Sequence, residues 1–158
     1  LRSMMERIDA LAVVHRKLYQ SDDVTKFDIG AFAATLATDL VHASGRKGIH
    51  LRTDIRKADV PAGYAAALGL IINEILANAI GHGMSESEGT IDISTKTIGE
   101  DVVVAICDDG PGFETSDRGL DGLGRRIVER LAKQSSAHVE WEARAPGTKV
   151  SLAVSVRP

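Results

Sequence analysis

A single cysteine, Cys107, stands among 158 residues. An internal disulfide is therefore impossible, and a reducing cytoplasm is the simplest setting. There is no excess of basic residues: 19 Lys and Arg face 22 Asp and Glu, a formal net charge of −3. That balance speaks against a nucleic-acid surface, which usually needs a basic patch. It leaves nucleotide binding open, because metal and backbone amides can offset phosphate charge. No apolar run approaches the ~20 residues of a membrane span and no signal peptide is visible, so no membrane contact is expected. Repeats and low-complexity tracts are absent, and His42, His50 and His138 are scattered without metal-ligand spacing. The initiator methionine is missing too, and the chain is expected to belong to a longer protein. What is present suffices for a core: 44% of residues are hydrophobic, enough for one domain, or one domain with an accessory arm.

Residues 4–19 carry Met4, Ile8, Leu11 and Leu18 at heptad-like spacing, with His15 in the intervening seam position. This predicts a bundle helix that needs a partner. Asp28 should cap a second helix with Phe32, Leu36 and Leu40 on one face, ended by Gly45 and Gly48. Alternation over residues 49–55 predicts a half-buried strand. Pro61 opens a long helix to about His82. Strands follow over residues 89–98 and 102–107, the second apolar on both faces and hence central. Residues 122–134 read as a helix, and residues 139–144 and 149–156 as two strands about the Ala145-Pro146-Gly147 turn. The order predicts an α/β (α+β) two-layer sandwich, a mixed sheet with helices on one face, plus the N-terminal bundle helix. Residues 1–24 form the arm and residues 25–158 the domain.

Chemistry concentrates in four places. On the long helix, Glu74 and Asn78 lie one turn apart at the edge of the face formed by Leu68, Ile72, Ile75, Leu76 and Ala79, while Asn73 points elsewhere. The amide oxygen of Asn78 suits Mg²⁺, which takes few protein ligands and keeps water and phosphate oxygens. Glu74 is placed to orient a metal-bound water or to act as a base. Two solvated polar residues would give the same pattern. The second place is Asp108, which ends the central strand and enters Asp-x-Gly-x-Gly with Gly110 and Gly112. An ionised acceptor there matches the exocyclic amino group of adenine and repels the carbonyl of guanine; a hydrogen bond to a charged group is worth roughly 1.5–3 kcal/mol. An ordinary Asp-Gly turn is the alternative. Third, Gly122-Leu123-Gly124 opens a helix whose free amides suit phosphate, with Arg125 and Arg126 nearby; an ordinary loop-to-helix start is the alternative. Fourth, Pro146-Gly147-Thr148 enters the last strand, where the hydroxyl of Thr148 could approach the base; a plain hairpin turn explains the glycine equally well.

Taken in order, these motifs resemble the ATP-binding domain of the gyrase/chaperone/histidine-kinase superfamily, and within it sensor histidine kinases of the second HisKA class, relatives of the HWE kinases. "RIDALAVVHRKLYQSDD" is similar to the second helix of that family's dimerisation domain, and "LGLIINEILANAIGHG" to its asparagine box. "DDGPGF" and "GLGRRIVERLAKQ" are similar to its glycine boxes, and "PGTKVSLAV" to its closing strand. The resemblance implies a Bergerat-type fold and a protein histidine kinase using ATP and Mg²⁺. Asn78 would bind the metal, Glu74 would assist near the γ-phosphate, and Asp108 would read adenine. Gly110 and Gly112 would shape the pocket, Gly122, Leu123 and Gly124 would lie beneath the phosphates, and Thr148 near the base. It further implies a homodimer through the helical bundle and a response-regulator receiver domain as phosphate acceptor.

Four departures accompany the resemblance. The lid, residues 113–121, is short. Gly81 stands where relatives carry a basic residue, Pro146-Gly147 replaces a glycine pair, and the tryptophan that names HWE kinases is missing from the Asp108 strand. The family's phosphoacceptor histidine lies on a preceding helix, and His15 is expected to be buried in the seam, so autophosphorylation of these residues alone is not expected. His82 follows the Asn78 stripe and is a lesser candidate for ligand contact. Two other readings remain: an anti-sigma serine kinase of the same superfamily, and a phosphotransfer or adaptor protein with a decayed nucleotide site.

Overall fold

The computed structural model describes residues 2–81, 88–110 and 123–156. Helix α1 (Arg2–Gln20) is followed by strand β1 (Lys26–Asp28) and helix α2 (Ile29–Ser44). Asp28 caps α2, its Oδ1 accepting from the amides of Gly30 and Ala31 at 3.1 Å each. Gly45 closes the helix in the left-handed region at φ 71°, its N–H donating to the His42 carbonyl. The Asp28 carboxylate at one end and the Gly45 backbone amide at the other thus satisfy groups the helix leaves orphaned. Phe32 and Leu36 are buried as expected, and Leu40 packs at the margin.

Strands β2 (Ile49–Asp54), β4 (Gly89–Ile98), β5 (Asp101–Asp108), β6 (Ala137–Ala143) and β7 (Thr148–Ser155) form one sheet in the order β2-β4-β5-β7-β6. The β2–β4 pair is parallel and the other three pairs are antiparallel. The sheet is therefore mixed, as expected. Central β5 buries Val102, Val104 and Ile106 beneath the helices, while Val103 and Cys107 are half-buried on the other face. Gly99, at φ 60°, supplies the tight turn from β4 into β5.

Strands β1 and β3 (Asp59–Pro61) pair as a separate two-stranded ribbon, which the sequence does not predict. Three residues are too few for a period of two to register. Pro61 belongs to β3, and a single 3-10 turn over Ala62–Tyr64 leads into helix α3 (Ala65–Gly81). The strands at the chain's end begin slightly before their expected starts, Ala137 for 139 and Thr148 for 149.

Helices α2, α3 and α4 (Leu123–Gln134) lie over one face of the sheet, and α1 packs on α3 and α2. α3 is buried almost all round: Leu68, Ile71, Ile72 and Leu76 are inaccessible to solvent. Burial of such a side chain contributes about 1.5–3 kcal/mol relative to exposure. The same all-round apolarity corrects one sequence expectation. The 20 residues Ala62–Gly81 reach a mean hydropathy of 1.4, long and apolar enough to cross a membrane by composition. Here they form the core helix of the sandwich.

The seam on α1 is uncovered in the single chain, as expected of a bundle helix that needs a partner. The helix turns Ala10, Val13 and Val14 into the core, whereas Met4, Ile8 and Leu11 are exposed at 59%, 58% and 39%. Val14 lies tight against Gly69 of α3, where a Cβ would collide with its methyl group. His15, expected to be buried, is exposed, and its ring lies 4.4 Å from that of Tyr19. The helix carries two apolar stripes, and this single chain covers only the one made of small residues.

Candidate functional site

Asp108 terminates the central strand with β4 on one side and β7 on the other. Its side chain is 9% exposed, and Oδ1 accepts from the amide of Gly110 at 3.0 Å. Burial pushes its carboxyl up from the ordinary 3.8 to about 6. The Gly110 amide pulls the other way, neighbouring Asp109 adds to the rise, and the Thr148 amide again favours the anion. Among the described residues no ion pair reaches Asp108. A buried carboxyl with two amide donors and no cation has acceptor capacity left for a ligand.

Thr148 sits directly opposite Asp108 in the β5–β7 register and is itself buried. The turn before it is held close to the same point. Gly147 adopts φ 97°, and a Cβ there would collide with the Asp108 carbonyl oxygen. Only glycine meets both demands. The geometry thus assembles Asp108, Gly110, Gly147 and Thr148 at one end of the sheet. Asp109 turns away and caps the start of β4, its Oδ1 accepting from the Thr90 amide at 2.9 Å.

α3 approaches this end from above. Arg46 reaches the Ile80 carbonyl, the nearby Gly48 carbonyl accepts from the Gly89 amide, and Ile91 pairs with Asp108, so the end of the helix and the end of β5 lie on the same side of the molecule. Glu74 and Asn78 occupy successive turns of α3; Glu74 is 8% exposed and Asn78 half-buried. Solvation does not describe Glu74. Its Oε1 accepts from Arg7 Nε of α1 at 2.6 Å. Asn73 is fully buried, and its Oδ1 has no hydrogen-bond partner. Among the described residues no hydrogen bond engages the Asn78 carboxamide. At the helix end, Arg46 donates to the Ile80 carbonyl at 2.5 Å, a cation at the negative pole of the helix. Gly81 is exposed with open space where a Cβ would stand.

α4 packs beside α3 and over β6. Leu123 is its first residue and Gly124 lies half-buried in its first turn. Gly112, Gly122, His82 and the lid segment 113–121 lie outside the described residues, as does the side chain of Leu123. Arg7 escaped the sequence reading. The signal available for it was the spacing Arg7, Ala10, Val14, which puts one charged residue on the same stripe as the small apolar ones.

Comparison with known proteins adds two family models. The histidine kinase-like ATPase domain (HATPase_c_2) matches residues 46–154, and the histidine kinase model HisKA_2 matches residues 1–44. A curated relative, blue-light-activated histidine kinase 2 of Erythrobacter litoralis (strain HTCC2594), is 28% identical over 158 residues, spanning 95% of this chain and 46% of the relative. The chain thus spans about half the length of that relative. Among solved structures, the histidine kinase domain of the Erythrobacter litoralis EL346 blue-light-activated histidine kinase superposes with a TM-score of 0.83 at 26% identity, over 98% of this chain and 75% of that one. The mycobacterial sensor histidine kinase MprB shares the fold with a TM-score of 0.69 at 20% identity, over 84% of this chain and 97% of that one.

Proposed function

The chain belongs to the histidine kinase-like ATPase domain family, and from that premise we propose that it is the ATP-binding catalytic part of a two-component sensor histidine kinase. The observation that carries this reading is the buried carboxyl of Asp108, without an ion pair among the described residues, facing Thr148 at the end of the central strand. Ionised, it accepts from the amino group of adenine, while Gly110 and Gly147 let backbone come close to the base. Asn78 would hold Mg²⁺. The residues fit the ion: a half-buried carboxamide unengaged by described neighbours, and no cluster of three or more His, Cys, Asp or Glu among the described residues that would cage a metal. That is the sparse protein contribution Mg²⁺ accepts beside nucleotide. When bound, the ion neutralises charge on the phosphate oxygens.

The remaining work falls to the chain's own groups. Glu74 stands one turn before Asn78 to orient water or take a proton near the γ-phosphate. Gly124, with Gly112, Gly122 and Leu123 as further members, frees amides for the phosphates. In the transfer, the P–O bond to ADP breaks as a P–N bond to an imidazole forms, and the imidazole proton leaves to solvent or a base. We assign the acceptor to a histidine outside residues 1–158 on the resemblance; His15 is exposed in the single chain, but it shares the seam with Ile8 and Leu11 that a second copy would cover. A receiver-domain aspartate takes the phosphoryl group next. We place these residues in the cytoplasm, where ATP is available, as a homodimer through the bundle helix, with residues 1–24 as the dimerisation arm and 25–158 as the ATP-binding part. The HisKA_2 match over residues 1–44 supports this over a serine kinase resembling the ATP domain alone. The joined Asp108, Gly110 and Thr148 oppose a decayed adaptor site.

Calorimetry with Mg²⁺·ATP and Mg²⁺·GTP tests the reading. ATP should bind and GTP should not, and Asp108→Asn should erode that preference. Equal binding of the two nucleotides, or of neither, overturns it.

A further inference from the structure

Glu74 is the sole charged side chain along α3, and α1 already holds it. Arg7 Nε lies 2.6 Å from Glu74 Oε1, with 23% and 10% of the two side chains exposed. The carboxylate raises the Arg7 pKa by hydrogen bond and charge, against the desolvation that would lower it. The pair joins two elements of different function, the arm helix and the helix that carries Asn78. α1 itself is anchored further along by Ala10, Val13 and Val14, which are buried. Before that anchor Met4, Met5 and Ile8 are exposed, so among the described residues Arg7 ties the first two turns to α3.

Resting on the ATP-site reading above, we propose that Arg7 is a positioning residue that competes with bound Mg²⁺·ATP for the Glu74 carboxylate, coupling the seating of the first turns of α1 to occupation of the phosphate end of the site. An oxygen that accepts from Arg7 is withheld from metal-bound water or a transferring proton. A guanidinium is permanently charged and does not yield by deprotonation, so Glu74 is released by movement of α1. The coupling is reciprocal: whatever unseats α1 favours nucleotide, and nucleotide unseats α1.

The test compares the whole chain with Arg7→Met, Arg7→Lys and Arg7→Met/Glu74→Gln by calorimetry, using Mg²⁺·ATP and, in parallel, ADP with chelator. Amide hydrogen exchange over residues 4–10 is followed with and without Mg²⁺·ATP. Arg7→Met should tighten Mg²⁺·ATP binding about fivefold or more and leave metal-free ADP binding unchanged, because Asp108 lies on β5 and shares no contact with the pair on α1 and α3 among the hydrogen bonds and ion pairs of the described residues. Arg7→Lys should return toward the parent, and Glu74→Gln should abolish the gain. Mg²⁺·ATP should accelerate exchange over residues 4–10 in the parent chain. If Arg7→Met loses ADP binding through misfolding, the exchange result on the parent decides. Binding of ADP and ATP with no response to Arg7, or unaltered exchange, overturns the coupling and leaves the ATP site standing. Failure of the parent to bind either nucleotide overturns the site reading itself.

Discussion

Asp108 has two protonation states with opposite consequences. Burial raises its carboxyl from 3.8 to about 6, so the empty site favours the neutral acid while adenine recognition needs the anion. For stability the sign is fixed by proton counting. Between about pH 4 and pH 6 the folded chain holds a proton that the unfolded chain has lost. Asp108 therefore stabilises the empty fold fully below pH 4, and that contribution is gone above pH 6. For binding the sign reverses. ATP affinity should be flat above about pH 6.5 and fall roughly tenfold per unit below pH 6, measurable by calorimetry across that range. Asp108→Asn should remove this pH dependence and weaken ATP by about 10- to 100-fold, the worth of a hydrogen bond to a charged group. Gly147 and Gly81 make a second contrast at this scale. Gly147→Ala forces a Cβ onto backbone that cannot yield, at a positive φ, and should cost about 2 kcal/mol or more in a denaturant melt. Gly81→Lys meets open space. It should leave the melt unchanged and tighten ATP several-fold if a cation there reaches phosphate, roughly 1 kcal/mol.

At the scale of elements, what the sequence makes legible and what it hides divide by range of interaction. The α2 cap and stop, Asp28 and Gly45, are local chemistry and appear where their residue types place them. So do the bounds of β4 at residues 89 and 98, marked by glycine at one end and a turn at the other. Asp108, Gly110 and Thr148 are each visible as motifs, but their meeting depends on β5 and β7 being neighbours across forty residues of chain, which no local pattern encodes. The β1–β3 ribbon is hidden for a second reason, strands of three residues being too short to show a period of two. Glu74 is the sharpest case. Its helical stripe was readable and its partner was not, because the Arg7 contact spans 67 positions. Asp28 carries a prediction here. It accepts from Gly30, Ala31 and, at 3.3 Å, Ala58, so it joins the start of α2 to the approach to β3. Asp28→Ala should cost about 1–2 kcal/mol, at the upper end for a cap, read as a lowered Tm with the nucleotide site otherwise intact.

Across the whole molecule, the sandwich and the arm share one helix. α1 gives its small-residue stripe to the core at Ala10, Val13 and Val14, and presents Met4, Met5, Ile8 and Leu11 outward. A lone domain gains nothing from four large apolar residues on one exposed helix face, since at 39–59% exposure each forfeits roughly half of the 1.5–3 kcal/mol that full burial supplies. The HisKA_2 match covers this same segment. We expect the outward stripe to meet its equivalent in a second chain, as helices with apolar heptad seams do. Ile8→Glu tests this, because residue 8 contributes to that stripe and not to the core. Sedimentation at high concentration should show the parent chain self-associating and Ile8→Glu shifted to monomer. The melt of the monomeric domain should be little altered and Mg²⁺·ATP binding retained, since the charge lies away from Asp108 and Asn78. A parent chain that stays monomeric at every concentration would mean that the stripe is covered by something other than a second copy of itself.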